Sequence, residues 1–179
     1  LHGDEVCDAR FYKSCGGLTE NFENAWGDTP VSYLRSVSDA ERSYSSKSTE
    51  PEARDWILSS PEAYCNTKDA AILKQILPSF DQETTDFFRW RVDYRREELE
   101  RIIHQRSGFD FGTIMALVPL QRGPSGRITR LQIVGTKKTL IVGKELEIRR
   151  WLSNSHLYSS AFVVDADRDA GGLPTKFTF

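Results

Sequence analysis

The stretch CDARFYKSCGGLTENFENAW, residues 7–26, decides how the rest of the chain is read. It grows out of a strand-like run, Val6 to Tyr12, within a strand expected over residues 5–13. The run breaks at Ser14-Cys15-Gly16-Gly17 and resumes with the hydroxyl-bearing Thr19. Two adjacent glycines permit positive φ and let another backbone or a ligand approach closely. Ser14, Cys15 and Thr19 are therefore expected on a tight bend, with small polar side chains and free N–H groups turned to a polar ligand. The same letters also fit a plain hairpin in which Gly16-Gly17 only makes the turn.

Outward from the bend, residues 17–26 read as a second extended piece, closed by the breakers between Asn24 and Pro30. Trp26, Tyr33 and Leu34 are assigned to the core first and to a ligand platform second, because aromatic rings carry large burial energies. Residues 38–51 are Ser-rich and nearly free of aliphatics, so a solvated, mobile loop is expected. Glu52–Leu58 is read as one or two helical turns with Trp56, Ile57 and Leu58 inward. Asn66-Thr67 is read as the cap of a helix through Ala70, Ala71, Leu73, Ile76 and Leu77, stopped by Pro78. Residues 38–85 together are expected to form a loop and helical insertion on the main fold.

The second half is more regular. Phe87–Val92 reads as a strand, and Arg95–Gln105 as an amphipathic helix burying Leu99, Ile102 and Ile103. Its charges, Arg95 to Glu98, read as a solvated face, and His104 as a cation at the helix end. Strands are expected at 113–120, 128–134, 139–142 and 159–164, with one more entered at Lys176 and a helix opening at Gly143 and running to Leu152. Alternating strands with a few helices predict an α+β fold: a mostly antiparallel sheet, two or three packed helices, and one domain over residues 1–179.

Composition narrows the function classes. A content of 39% hydrophobic and 28% charged residues is ordinary for a globular chain. The net charge of −2 argues against nucleic acid or an acidic membrane surface as partner. No apolar run approaches the ~20 residues that span a bilayer. No signal peptide is visible, and a start at Leu1 reads as an excised fragment. Cys7, Cys15 and Cys65 are too few for a disulfide scaffold. Cys7 and Cys15 can join a metal site if Cys65 comes near, although their spacing is not that of a zinc finger. A Cys15–Cys65 disulfide or plain buried thiols remain equal alternatives. None of His2, His104 and His156 has a sequence relation to Cys15 that would suggest a catalytic pair.

The order Phe11-Tyr12-x-Ser14-x-Gly16-Gly17-x-Thr19-Glu20, then Trp26 and Pro30-x-x-Tyr33-Leu34-x-x-Val37, resembles the sporulation stage II protein D (SpoIID/LytB) family. That family comprises peptidoglycan-cleaving lytic transglycosylases and related amidase enhancers. Ser125-Gly126-Arg127 in a hairpin, a strand ending at Gly135, Arg149-Arg150 on a helix, and Leu157 to Phe162 extend the resemblance. It covers residues 5–37 and about 86–165.

The resemblance implies a cell-envelope protein outside the cytoplasmic membrane, with peptidoglycan glycan strands as partner and, in the regulatory branch, a cell-wall amidase. Glycan cleavage needs a carboxyl group that protonates the departing oxygen. In the family one glutamate does this and the muramic acid 6-hydroxyl attacks, giving a 1,6-anhydro product. That glutamate is expected before Leu1, and a Gly-His-Gly motif after Phe179, so no catalytic residue is assigned here; Glu20 and Glu23 are not put in its place. What carries over is support: Tyr12, Ser14, Gly16, Gly17 and Thr19 on the bend, and Ser125, Gly126 and Arg127 on the hairpin, binding sugar hydroxyls and N-acetyl groups. Arg149 reads first as a salt-bridged arginine and second as a glycan ligand. No cofactor is required; Lys13 and Cys15 stand where members often have histidine and serine, and a structural zinc on Cys7 and Cys15 is kept as an option.

Overall fold

The apolar alternation of the second half folds as it reads. In the computed structural model, which describes residues 2–79 and 86–179, the elements are α1 Phe22–Ala25, α2 Glu50–Leu58, α3 Ala70–Ile76, β1 Asp93–Arg95, α4 Arg96–Ser107, β2 Ile114–Arg122, β3 Ile128–Gly135, β4 Thr139–Val142, α5 Glu145–Trp151, β5 Asp165–Arg168 and β6 Pro174–Thr178. They build two three-stranded antiparallel sheets, ordered β2-β3-β4 and β1-β6-β5. The fold is α+β.

In the first sheet Leu131 lies between Pro119 and Val142, and Ile133 between Leu117 and Leu140. The period of two sends Leu117, Leu131, Ile133 and Val142 to one face, where they are buried. Helix α4 joins the same core with Leu99, Ile102 and Ile103, the i, i+3, i+4 stripe of an amphipathic helix. Gly108, at φ 77, turns the chain out of the helix, a conformation that costs other residues more. Ile148 and Trp151 of α5 and Phe162, Phe177 and Phe179 complete one core that begins at Tyr94 and has Trp90 and Val92 packed against it. Among the described residues, no helix is long and apolar enough to cross a membrane.

Several expectations for the first half do not hold. Residues 5–13 form no strand: Val6 and Phe11 are 86% and 70% exposed. Among the described residues their one ladder contact is the isolated bridge from His2 to Glu5. A strand needs a neighbour for its backbone groups, and among the described residues no strand pairs with this arm. Residues 17–26 are not one extended piece, since Phe22–Ala25 closes into α1. Trp26 and Tyr33 are surface residues and Leu34 is half-buried. The Ser-rich loop is pinned rather than free: the Tyr44 hydroxyl donates to Glu62 O at 2.6 Å, and Lys47 N donates to Pro124 O at 2.8 Å.

Helix α2 starts at Glu50, because Thr49 and Glu52 form a capping pair with the Glu52 carboxylate accepting from Thr49 N. It buries Ala53 and Trp56 but turns Leu58 outward. The α3 cap is Asp69, which accepts from Ala71 N at 2.8 Å, in place of Asn66-Thr67. The end of the expected insertion, residues 80–85, lies outside the described residues. Strand β1 begins just after the expected run 87–92, and β5 just after 159–164. In the latter run Ser160, Phe162 and Val163 are buried without a ladder. Burial, not strand pairing, is what their apolar letters encoded.

Candidate functional site

The bend stands where the two halves of the molecule meet. Gly16 and Gly17 have φ of 72° and 95°. A Cβ on Gly17 would sit 2.9 Å from the Trp56 ring, so the glycine lets α2 close over the bend. The bend carbonyls point at two guanidinium groups, one buried, on Arg127, and one half-buried, on Arg89. Arg127 donates from Nη2 to Cys15 O at 3.1 Å and from Nη1 to Leu18 O at 3.3 Å. Arg89 donates to Gly16 O at 3.3 Å and also to Trp56 O and Ser59 O, both at 3.0 Å. Burial pulls the Arg89 pKa down, to about 10. A guanidinium offers five N–H donors in a fixed fork, which suits it to gathering carbonyls from separate segments.

A carboxylate ties the bend to the β2–β3 hairpin. Glu20 is buried. Its Oε2 accepts from the Ser125 hydroxyl at 2.5 Å and Ser125 N at 3.4 Å. Its Oε1 accepts from Asn21 N at 2.9 Å and Asn24 Nδ2 at 2.7 Å. A Cβ on Gly123 would lie 2.4 Å from both oxygens, so only glycine admits this approach. The Ser125 hydroxyl in turn accepts from Arg127 Nη1 at 2.9 Å. Gly126, at φ 82, turns the hairpin, and its carbonyl accepts from Arg122, whose guanidinium grips the Glu50 carboxylate of α2 at 2.5 and 2.8 Å.

Two cavities open beside this junction, and Ser14 and Arg127 line both. The larger, about 460 Å³, adds Cys15, Gly16, Ser125, Arg89 and the wall Ser59, Ser60, Asn66 and Thr67. The smaller, about 380 Å³, adds Tyr12 and the rings of Phe11, Trp26, Phe87 and Tyr158. Glu20, Glu145 and Arg149 stand among its walls. Burial raises the Tyr12 pKa above 10.0; Arg127 opposes this, and Glu20 and Glu145 reinforce it. The phenol thus stays a neutral donor and acceptor.

Of the expected support residues, Tyr12, Ser14, Gly16, Ser125 and Arg127 line these cavities. Thr19 does not: its hydroxyl accepts from Val37 N at 2.8 Å, joining the bend to the next segment. Gly17 and Gly126 also stay behind the walls, as backbone devices. Arg149 is the structural arginine of its first reading, paired with Glu145 at 3.4 Å and donating from Nε to Leu157 O at 2.6 Å. The sequence pattern gives Glu20 no role and places Arg89 only within an expected strand. Neither sits in a local pattern that reports a partner more than 70 residues away.

The cysteines sort differently from the zinc option. Cys7 lies outside the group that forms; Cys15 and Cys65 approach to 3.5 Å between sulfurs. The Asp39 carboxylate joins them, all three donor atoms lying within 4.8 Å of one another. This Cys/Asp/Cys group is of a kind that can hold a metal ion. The hydrogen bond to Cys65, together with burial, pushes the Cys15 thiol up; the same contact draws Cys65 down to about 7.

The family described as a domain of unknown function (DUF8618) matches residues 20–179, and the chain belongs to it. No curated protein matches the chain, and no solved structure does.

Proposed function

We propose that this chain is the glycan-binding part of a peptidoglycan-acting domain of the lytic transglycosylase type, as its likeness to SpoIID/LytB proteins implies. The observation that carries the reading is the smaller cavity: four aromatic rings stand around Tyr12, Ser14 and Arg127 in one cleft. Sugars present apolar ring faces rimmed by hydroxyls, and such a cleft offers both a stacking surface and fixed hydrogen-bond partners. A site that pairs hydroxyls discriminates against ligands lacking them, because its own polar groups would be left unpaired. The reading implies the cell envelope as the place of action.

The carboxylates of the cleft serve the scaffold. Both Glu20 oxygens are engaged by Asn21, Asn24 and Ser125, and Glu145 is taken by Arg149 and Ser160 N. These bonds assign both carboxylates to the scaffold, and the acid is not assigned within this chain. No cofactor is needed. A closed structural zinc takes four protein ligands, and Cys15, Asp39 and Cys65 supply three. Among the described residues no fourth His, Cys, Asp or Glu ligand joins them, and no step is drawn through zinc.

The test is calorimetric titration with denuded glycan strands, repeated with Trp26→Ala and Tyr158→Ala. Loss of one stacking ring should weaken binding about tenfold. No anhydro-muropeptide should form with the chain alone. Binding unchanged in both variants removes the reading. Capture and stimulation of a cell-wall amidase without glycan binding would assign the chain to the enhancers instead.

A further inference from the structure

We propose that Cys15 and Cys65 are a reversible dithiol–disulfide pair whose oxidation staples the glycine bend to the loop that forms the far wall of the larger cavity. This goes beyond the glycan reading and does not depend on it. The sulfurs are 3.5 Å apart although 50 residues separate them. A disulfide needs about 2.05 Å, so closure asks for a shift of roughly 1.5 Å. Cys65 lies in the irregular connection between α2 and α3, where such a shift breaks no helix or ladder.

The alignment of the two thiols is built. Asp39 N donates to Gly17 O at 3.1 Å, Tyr64 N to Asp39 O at 2.8 Å, and Cys65 N to the Asp39 carboxylate at 2.8 Å. One residue thus registers the bend against the loop, with the sulfurs facing. Arg89, bonded to both Gly16 O and Ser59 O, holds the same two segments from the other side. Ser14, Cys15 and Gly16 line one wall of the cavity and Ser59, Ser60, Asn66 and Thr67 another, so the bond would set its width.

Exposure assigns the order of events. Cys65 is half-buried and Cys15 buried, so Cys65 is the sulfur an outside reagent meets first. The oxidant is a small-molecule disulfide such as oxidised glutathione. Cys65 thiolate attacks one of its sulfurs, forming a mixed disulfide and releasing one glutathione thiolate, which takes up a proton. Cys15, giving its proton to solvent, then attacks the Cys65 sulfur and expels the second glutathione. Two protein thiols are oxidised and one small disulfide is reduced to two thiols.

The three cysteines fall on three tryptic peptides, residues 1–10, 14–35 and 55–68, so the bond can be read directly. The full chain carrying Cys7→Ser is equilibrated in glutathione redox buffers, quenched with maleimide, digested and weighed. Peptides 14–35 and 55–68 should appear joined under oxidised glutathione and separate again under excess reduced glutathione. Cys15→Ser should stop at a mixed disulfide on Cys65. Cys65→Ser should form mixed disulfide on Cys15 on the order of tenfold more slowly, its sulfur being buried. Absence of the joined peptide at every ratio overturns the proposal. One equivalent of zinc kept through desalting, with both thiols shielded until chelator is added, overturns it in favour of a metal site.

Discussion

From Tyr94 onward the molecule is held by hydrocarbon; before Trp90 it is held largely by guanidinium groups and carboxylates. All fully buried members of the single large core lie in the later half. The earlier half buries few apolar side chains, chiefly Leu18, Ala53, Trp56, Leu77 and Phe88. It is fastened to the sheet half through Arg127 on the bend carbonyls, Glu20 on Ser125, and Arg122 on Glu50. Apolar burial is non-directional and accumulates with area, whereas a buried polar network fixes one geometry and is costly when a partner is lost. The cleft sits at the seam between the two regimes.

The sharpest way to break this contrast is to attack each half by its own means. Phe177 is fully buried between β1 and β5. Phe177→Ala should cost about 3–5 kcal/mol of global stability by urea unfolding, with both halves lost together. Arg127→Met should cost less, about 1.5–3 kcal/mol, since it strands Cys15 O, Leu18 O and the Ser125 hydroxyl without their charged donor. Its signature is regional. Amide exchange should quicken over residues 14–20 and 123–127 while β3 and α4 keep their protection. Equal loss of protection in β3 would mean that the two halves are one cooperative unit and that the contrast is false.

The smallest effect sharpens the comparison at the sheet edge. Asp93 is exposed and receives Thr178, Arg91 and Lys176, whose hydrogen bonds hold its carboxyl well below the usual range. A depressed acid contributes stability above its unfolded value, and the contribution fades as pH falls through the folded one. Thermal melts should therefore show a slight loss below pH 3.8 that Asp93→Asn abolishes. An acid limb unchanged in the variant would remove Asp93 from the account.

Legibility followed the same divide. Helix α4 and strands β2 to β4 were readable because their letters repeat with the period of the structure they form, and a periodic face needs only some core to bury against. The arm at residues 5–13 misled because strand letters do not supply a strand partner. The run 159–164 misled because buried coil and buried strand use the same apolar residues. Of the site, the positive-φ bend and the hairpin turn were legible in Gly16-Gly17 and Gly126. Thr19 was misplaced, because a threonine hydroxyl serves a neighbouring backbone as readily as a ligand. Glu20 and Arg89 were invisible as partners of distant segments.

What the chain determined by itself is what depends on neighbours within a few residues: helical stripes, alternation, capping pairs and glycines that permit positive φ. What only the tertiary structure decided is which buried charge meets which carbonyl, that Cys65 rather than Cys7 faces Cys15, and that two cavities share the Ser14–Arg127 wall. Those pairings join segments 50 to more than 100 residues apart. Their partners are selected by folding, because a hydrogen bond is specified by where two groups arrive and not by the letters that flank either one.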